Sequence, residues 1–187
     1  MHPDEEILTG ADLGRMKAWK ARFNAANTVP IDPSQASTTS FLARMAEADK
    51  AVSAWEGFLG HESCHIGEFD ADMRAARVMK VRKLPDGYIA AAGRVVALCE
   101  FKEVRPGNYG VAEEYYMGYK GVRDETGEPL FVLFHCDGTK EMWACDINDY
   151  GSTRERKMPD GRTRRYVYFK RQMSPETFVK TLKDSYL

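Results

Sequence analysis

The sequence predicts an α/β domain with a mixed central β-sheet, helices on both sides of it, and an N-terminal helical arm in front. Three observations carry this. Apolar residues recur at helical spacing over a stretch from about Thr39 to Leu59. Segments of strand character follow, with a helical pattern set among them at Val111 to Arg123. Asp137-Gly138 joins two apolar runs as a hairpin turn.

Taken in order, the first helix is expected from about Ala11 to Phe23, with Leu13, Met16, Trp19 and Phe23 on one stripe. Thr9 is its cap, with Asp12 three residues on. Residues 25–37 are rich in Asn, Pro, Ser and Thr and read as a linker. Residues 1–37 therefore form an arm and linker that packs on the body or on a second subunit, and residues 38–187 form the main domain. In the second helix Phe41, Met45, Ala48, Val52, Trp55 and Leu59 build one apolar face, with Glu56 beside it. The stretch Gly60 to Arg77 fits either an extended helix or a second short one.

Strands are expected at Val78 to Leu84, Tyr88 to Ala90 and Val95 to Val104, with a turn near Gly93. The helix Val111 to Arg123 should end near Gly127. Leu130 to Cys136 and Lys140 to Ile147 form the Asp137-Gly138 hairpin, and Tyr166 to Lys170 is a last strand after an Asp160-Gly161 turn. Ser174-Pro175-Glu176 opens a C-terminal helix, with Ser as cap and Pro at its first position.

Composition bounds the function. The chain has 187 residues, 43% hydrophobic and 29% charged, which is the balance of one folded domain and not of a disordered chain. No apolar run has the length of a membrane span, and the acidic N-terminus lacks the order of a signal peptide, so no membrane partner and a cytoplasmic location are expected. Cys64, Cys99, Cys136 and Cys145 follow no disulfide framework and should be free thiols. With 27 basic against 28 acidic residues, bulk attraction to nucleic acid is absent; any such surface must come from local segregation of charge.

Thirteen residues separate Asp86 from Glu100. Glu100 and Lys102 alternate onto one face of an extended strand. A hairpin about Gly93 would carry Asp86 to the same place, converging two carboxylates and an ammonium at one strand end. Metal-assisted phosphodiester cleavage needs such a set: hard oxygen ligands for a divalent ion and a cation to position water and stabilise the transition state.

Pro85-Asp86 followed by Glu100-Phe101-Lys102, after the apolar strand Val95–Cys99, resembles the PD-(D/E)xK nuclease superfamily, with its restriction-endonuclease-like, Holliday-junction-resolvase-like fold. The likeness extends more loosely over residues 40–172. It implies a DNA nuclease (RNA remains an alternative) using Mg²⁺, with Mn²⁺ able to substitute. Asp86, Glu100 and the backbone carbonyl of Phe101 would hold the metal, and Lys102 would orient the nucleophile. A preceding helix would add one acid, Glu56 or alternatively Glu68, and the following helix an auxiliary residue, Lys120. Cutting branched DNA or both strands of a duplex would call for a homodimer.

Two other classes stay open. His61-Glu62-Ser63-Cys64-His65 matches H-E-x-x-H, which on a helix would bind Zn²⁺ through both histidines as in zinc peptidases. Gly60 and Gly67 flank it, and Glu68 is too close to be the usual third ligand. A structural zinc site from these residues with His135 and Cys136 is less favoured than surface histidines and a buried thiol. The other class is a non-catalytic nucleic-acid-binding or inhibitor protein on a nuclease scaffold.

The basic stretch Arg154, Arg156, Lys157, Arg162, Arg164 and Arg165, interleaved with Tyr166 and Tyr168, could contact phosphates and stack an unpaired base. The bland alternative is a solvated hairpin whose alternate aromatics enter the core.

Overall fold

The computed structural model describes residues 7–26, 28–30, 36–69, 78–80 and 84–186. Among these residues a five-stranded mixed sheet has two helices on each side. Its strands, in spatial order, are β2 (Cys64–Glu68), β4 (Gly87–Ala91), β5 (Arg94–Glu103), β7 (Leu130–Cys136) and β8 (Glu141–Asp146). Only β5 and β7 are parallel, because the helix α3 (Glu113–Thr126) lies between them as a crossover. Short strands β1 (Thr28–Pro30) and β3 (Val78–Lys80) pair apart from this sheet. A three-stranded sheet, β6 (Gly110–Ala112), β10 (Thr163–Phe169) and β9 (Tyr150–Lys157), lies beside α3.

One face of the main sheet carries Tyr88, Leu98, Val132 and Phe134 in a core with Tyr116, Tyr119 and Val122 of α3 and with Val167 and Phe169 of β10. The N-terminal helix α1 (Gly10–Ala26) joins this face: Leu8 and Met16 are fully buried there. The other face carries Ile89, Ala97, Phe101 and Leu133 against Trp55 and Leu59 of α2 (Ala36–His61) and Phe178 and Leu182 of α4 (Pro175–Tyr186). All four cysteines are free and buried. Among the described residues no helix is long and apolar enough to cross a membrane.

Most expected elements occur within a few residues of their expected bounds, and Ser174 Oγ accepts from Thr177 N–H at 3.3 Å as the cap of α4. Three readings need correction. The uncertain stretch after Leu59 contains β2, an edge strand that pairs with β4. The polar run after Asp149 is β9, whose Asp160-Gly161 turn leads into β10. The linker expected at residues 25–37 overlaps β1 and the start of α2; residues 31–35 lie outside the described set, as do 70–77 and 81–83, where the rest of the ambiguous stretch and part of the strand expected at Val78 to Leu84 fall.

The β4–β5 hairpin positions the candidate site. Its turn, Ala92-Gly93, has positive φ at both residues (50° and 77°), the geometry that matches the twist of a two-residue hairpin. Gly93 accepts the Thr9 N–H at 3.1 Å, and Asp12 Oδ2 accepts the Val95 N–H at 2.9 Å. Asp12 thus clasps the hairpin and forms an ion pair with Arg15 instead of closing a capping box. Further along, the register shifts between Ile89 and Ala90: Ala90 faces Val95, Ile89 faces Ala97, and Val96 is the extra residue of a bulge.

Asp12→Ala should cost about 1–2 kcal/mol, because the Val95 N–H loses a charged acceptor. A fall in Tm of about 2–8 °C is the corresponding readout in a chain of this size. Asp12→Asn, which keeps an acceptor oxygen, should recover most of it.

Candidate active site

Asp86 stands one step before β4, just beyond the last hairpin pair, Gly87 opposite Cys99. Gly87 is required here: a Cβ on it would lie 2.2 Å from the Gly67 carbonyl oxygen of β2. The main chain of Asp86 is tied to the edge strand, its carbonyl accepting the Phe69 N–H at 2.8 Å. Its side chain turns to β5, where Oδ2 accepts the Phe101 N–H at 3.0 Å. The carboxylate therefore lies against the peptide between Glu100 and Phe101.

Glu100 is buried (3% exposed) on the face covered by α3. Its Oε1 pairs with the Lys102 ammonium and accepts the Tyr119 hydroxyl at 2.6 Å. Lys102 lies over two rings of α3, 5.2 Å from the Tyr115 centroid and 5.9 Å from that of Tyr119. Burial alone would lower the Lys102 pKa; the Glu100 and Asp86 carboxylates outweigh it and raise the value above the usual lysine range. Burial, then the same two carboxylates, push the Tyr119 phenol well above its ordinary range, so it stays protonated and donates. The carboxylates of Asp86 and Glu100 thus act together on one lysine and one tyrosine.

No family model matches this chain, and no curated protein matches it.

The structure brings Asp86, Glu100 and Lys102 together and leaves other expected residues elsewhere. Glu56 is exposed on α2, which covers the opposite face of the sheet. Glu68 is on a strand and not a helix; it stands opposite Gly87, in register with Cys99, so its side chain belongs to the face turned away from Glu100. Neither lies on the Glu100 face of the sheet. Lys120 is turned along its own helix to Asp124 at 4.0 Å. The α3 residues that reach the site are Tyr119 and Tyr115, one turn apart on the face packed against β5. Their i, i+4 spacing was the available signal in the sequence.

The H-E-x-x-H string does not lie on one helix. His61 ends α2, Glu62 and Ser63 form a turn with Ser63 at φ 59°, and His65 is on β2. The two histidines lack the shared helical face that zinc coordination would need, and Glu62 pairs with Lys183 at 2.7 Å. Cys64 lies near the β4–β5 turn, while His135 and Cys136 lie at the far end of β7, so these residues do not form a zinc site either.

Among the described residues no group of three or more His, Cys, Asp or Glu is placed to hold a metal ion. Two carboxylates beside one peptide are nonetheless a hard-oxygen donor set of the size Mg²⁺ uses when water and substrate phosphate complete its shell. A polar cleft of about 580 Å³, lined by Asp12, Arg15, Arg94 and Glu128 among others, opens at the opposite end of β5 and contains none of the candidate residues.

The basic stretch divides. Arg162 pairs with Asp160 at 2.6 Å, Arg164 with Glu114, and Arg165 with Glu113 at 3.2 Å. Arg154 and Arg156 instead lie over Tyr168 and Tyr166, at 5.1 and 5.2 Å from the ring centroids. Lys157 is exposed. On the other side of this sheet Val167 and Phe169 are buried, so one alternate pair does enter the core.

Several buried acids share one sign of pH dependence. Burial raises Cys99 well above the usual thiol value and Cys145 to about 12, and burial with the Glu141 hydrogen bond raises Tyr109 to about 12. Tyr119 and Lys102 are raised as well. A raised folded pKa means that the unfolded chain releases its proton first. The stability these groups contribute is complete below their unfolded values and is lost as pH climbs through the folded ones. Urea midpoints should be level to about pH 8.5 and fall steadily above pH 9; a flat profile to pH 11 would contradict these burials.

Proposed function

We propose that this protein is a metal-dependent nuclease that hydrolyses DNA phosphodiester bonds, on a restriction-endonuclease-like scaffold of the PD-(D/E)xK type. The observation that carries the reading is the Asp86 carboxylate held on the Phe101 N–H, next to buried Glu100 and its partner Lys102. A β4–β5 hairpin, a crossover helix and a parallel β7 in one mixed sheet agree with that scaffold.

Asp86, Glu100 and the carbonyl of Phe101 would hold Mg²⁺ or Mn²⁺. When bound, the ion supplies Lewis-acid stabilisation of phosphate charge and a more acidic water. The residues do the remainder. Glu100 is fixed by the Tyr119 hydroxyl, which limits its rotation. Lys102, kept charged by the two carboxylates, can release Glu100 Oε1 and turn its ammonium to the nucleophilic water or the phosphate oxygens. Four buried free thiols are in keeping with a reducing compartment such as the cytoplasm. Two copies of the chain would allow both strands of a duplex to be cut.

Purified protein with Mg²⁺ should nick or degrade DNA and stop on chelation. Failure to cut single-stranded, duplex or branched DNA, or RNA, with either ion would overturn the proposal. So would cleavage that survives both Asp86→Ala and Lys102→Ala.

A further inference from the structure

Arg154, Arg156, Tyr166 and Tyr168 share one face of the three-stranded sheet, because Arg154 stands opposite Tyr166 and Arg156 opposite Arg164 in the β9–β10 register. Arg154 is exposed, and Arg156, Tyr166 and Tyr168 are half-buried. The two guanidiniums reach no carboxylate among the described residues; each lies on a tyrosine ring, and Arg156 is also 5.9 Å from the Tyr168 centroid. The next cation, Arg164, is 5.7 Å from the centroid of Tyr115, and that same ring carries Lys102 at 5.2 Å. One run of cations and rings, Arg154, Tyr168, Arg156 and Tyr166, thus meets a second, Arg164, Tyr115 and Lys102, where Arg156 stands opposite Arg164, and together they form a row from the edge strand β9 to the carboxylates.

We infer that this row is a binding track for a single-stranded segment of nucleic acid, with Arg154 and Arg156 its principal contacts. A guanidinium resting on a tyrosine keeps its N–H edge for phosphate oxygens and its outer plane for a base. Such a plane is useful to unpaired bases, whose faces are available, and not to bases stacked within a duplex. A groove reader projects side chains from a helix or ribbon into the duplex; here the arginines are laid along the sheet. Arg162, Arg164 and Arg165, already paired to carboxylates, contribute less. The inference takes its ligand class from the proposed nuclease reading, but it concerns binding and not hydrolysis.

Binding is measured in EDTA by fluorescence anisotropy, using a labelled oligothymidylate of about 20 nucleotides and a duplex of equal length, with salt titrations. The oligothymidylate should bind more tightly than the duplex. R154A/R156A should weaken it about tenfold or more and flatten its log–log salt dependence by about 1.4, two phosphate contacts at about 0.7 each. Arg162→Ala should stay within about twofold. Arg156→Lys, which keeps the charge and loses the plane, should weaken the oligothymidylate more than the duplex, and it serves as the test if the double variant does not fold. Equal or tighter duplex binding, no oligothymidylate binding, or unchanged affinity in both variants overturns the track. Binding without any metal-dependent cleavage would refute the nuclease reading and leave the track standing; cleavage with a silent R154A/R156A would do the reverse.

Discussion

Asp86→Asn and Lys102→Ala should each lower metal-dependent cleavage by about a hundredfold to a thousandfold, the usual cost of removing a pre-positioned charge from a transition state. Asparagine at position 86 retains an oxygen for the Phe101 N–H, so the hairpin end should persist while the negative charge is lost. Its signature should be a raised Mg²⁺ requirement together with the lower rate. Lys102→Ala removes the ammonium that neighbours Glu100, Asp86 and the two tyrosines. Its defect should lie chiefly in kcat, with a smaller loss of oligonucleotide affinity because Lys102 is the last cation of the row. Lys120→Ala is the matched control: Lys120 points to Asp124, and turnover should stay within about twofold. A loss at Lys120 equal to that at Lys102 would mean that the wrong lysine has been placed at the reaction.

Trp55→Ala should destabilise the fold by about 3–5 kcal/mol, a large part of the stability of an ordinary domain. Trp55 is fully buried, meets Phe178 edge-on at 5.7 Å, and donates its indole N–H to the Phe134 carbonyl at 3.1 Å. Alanine leaves a cavity between α2 and α4 and strips that carbonyl of a buried donor. The effect should reach the site, because Phe134 is the β7 residue paired with Lys102. Trp55→Phe fills most of the space and removes only the donor, so it should cost much less. Chemical denaturation of the three proteins measures both terms; an alanine variant within about 1 kcal/mol of the wild type would refute this packing.

The element order was legible because the period of the apolar residues is a local property. The stripe through Val52, Trp55 and Leu59 and the Asp137-Gly138 turn each announce themselves within a few positions. The convergence of Asp86 with Glu100 and Lys102 followed from strand alternation plus one turn, and the hairpin bears out that neighbourhood. β2 was illegible because Cys64 to Glu68 contains a glycine and little alternation; it becomes a strand by pairing with β4. Glu68 passes for a helix acid in the sequence for the same reason. β9 was hidden by its polar surface, since neither side of an edge strand must be apolar along its whole length. Tyr119 was missed because a tyrosine in a helix reads as core, which it also is, and only its distance to Glu100 reveals the second role.

The surplus residue at Val96 decides which side of the sheet the chemistry occupies. A hairpin grown without interruption from Ala92-Gly93 would seat position 86 across from position 99, whose thiol belongs to the core beneath Trp55 and Phe178. Sliding the partner strand by one place turns the aspartate over to join its glutamate. Excising Val96 would therefore only flatten the bulge and leave the aspartate opposite its glutamate, whereas excising an ordinary paired residue such as Leu98 would set position 86 against Phe101 and turn Glu100 to the other face.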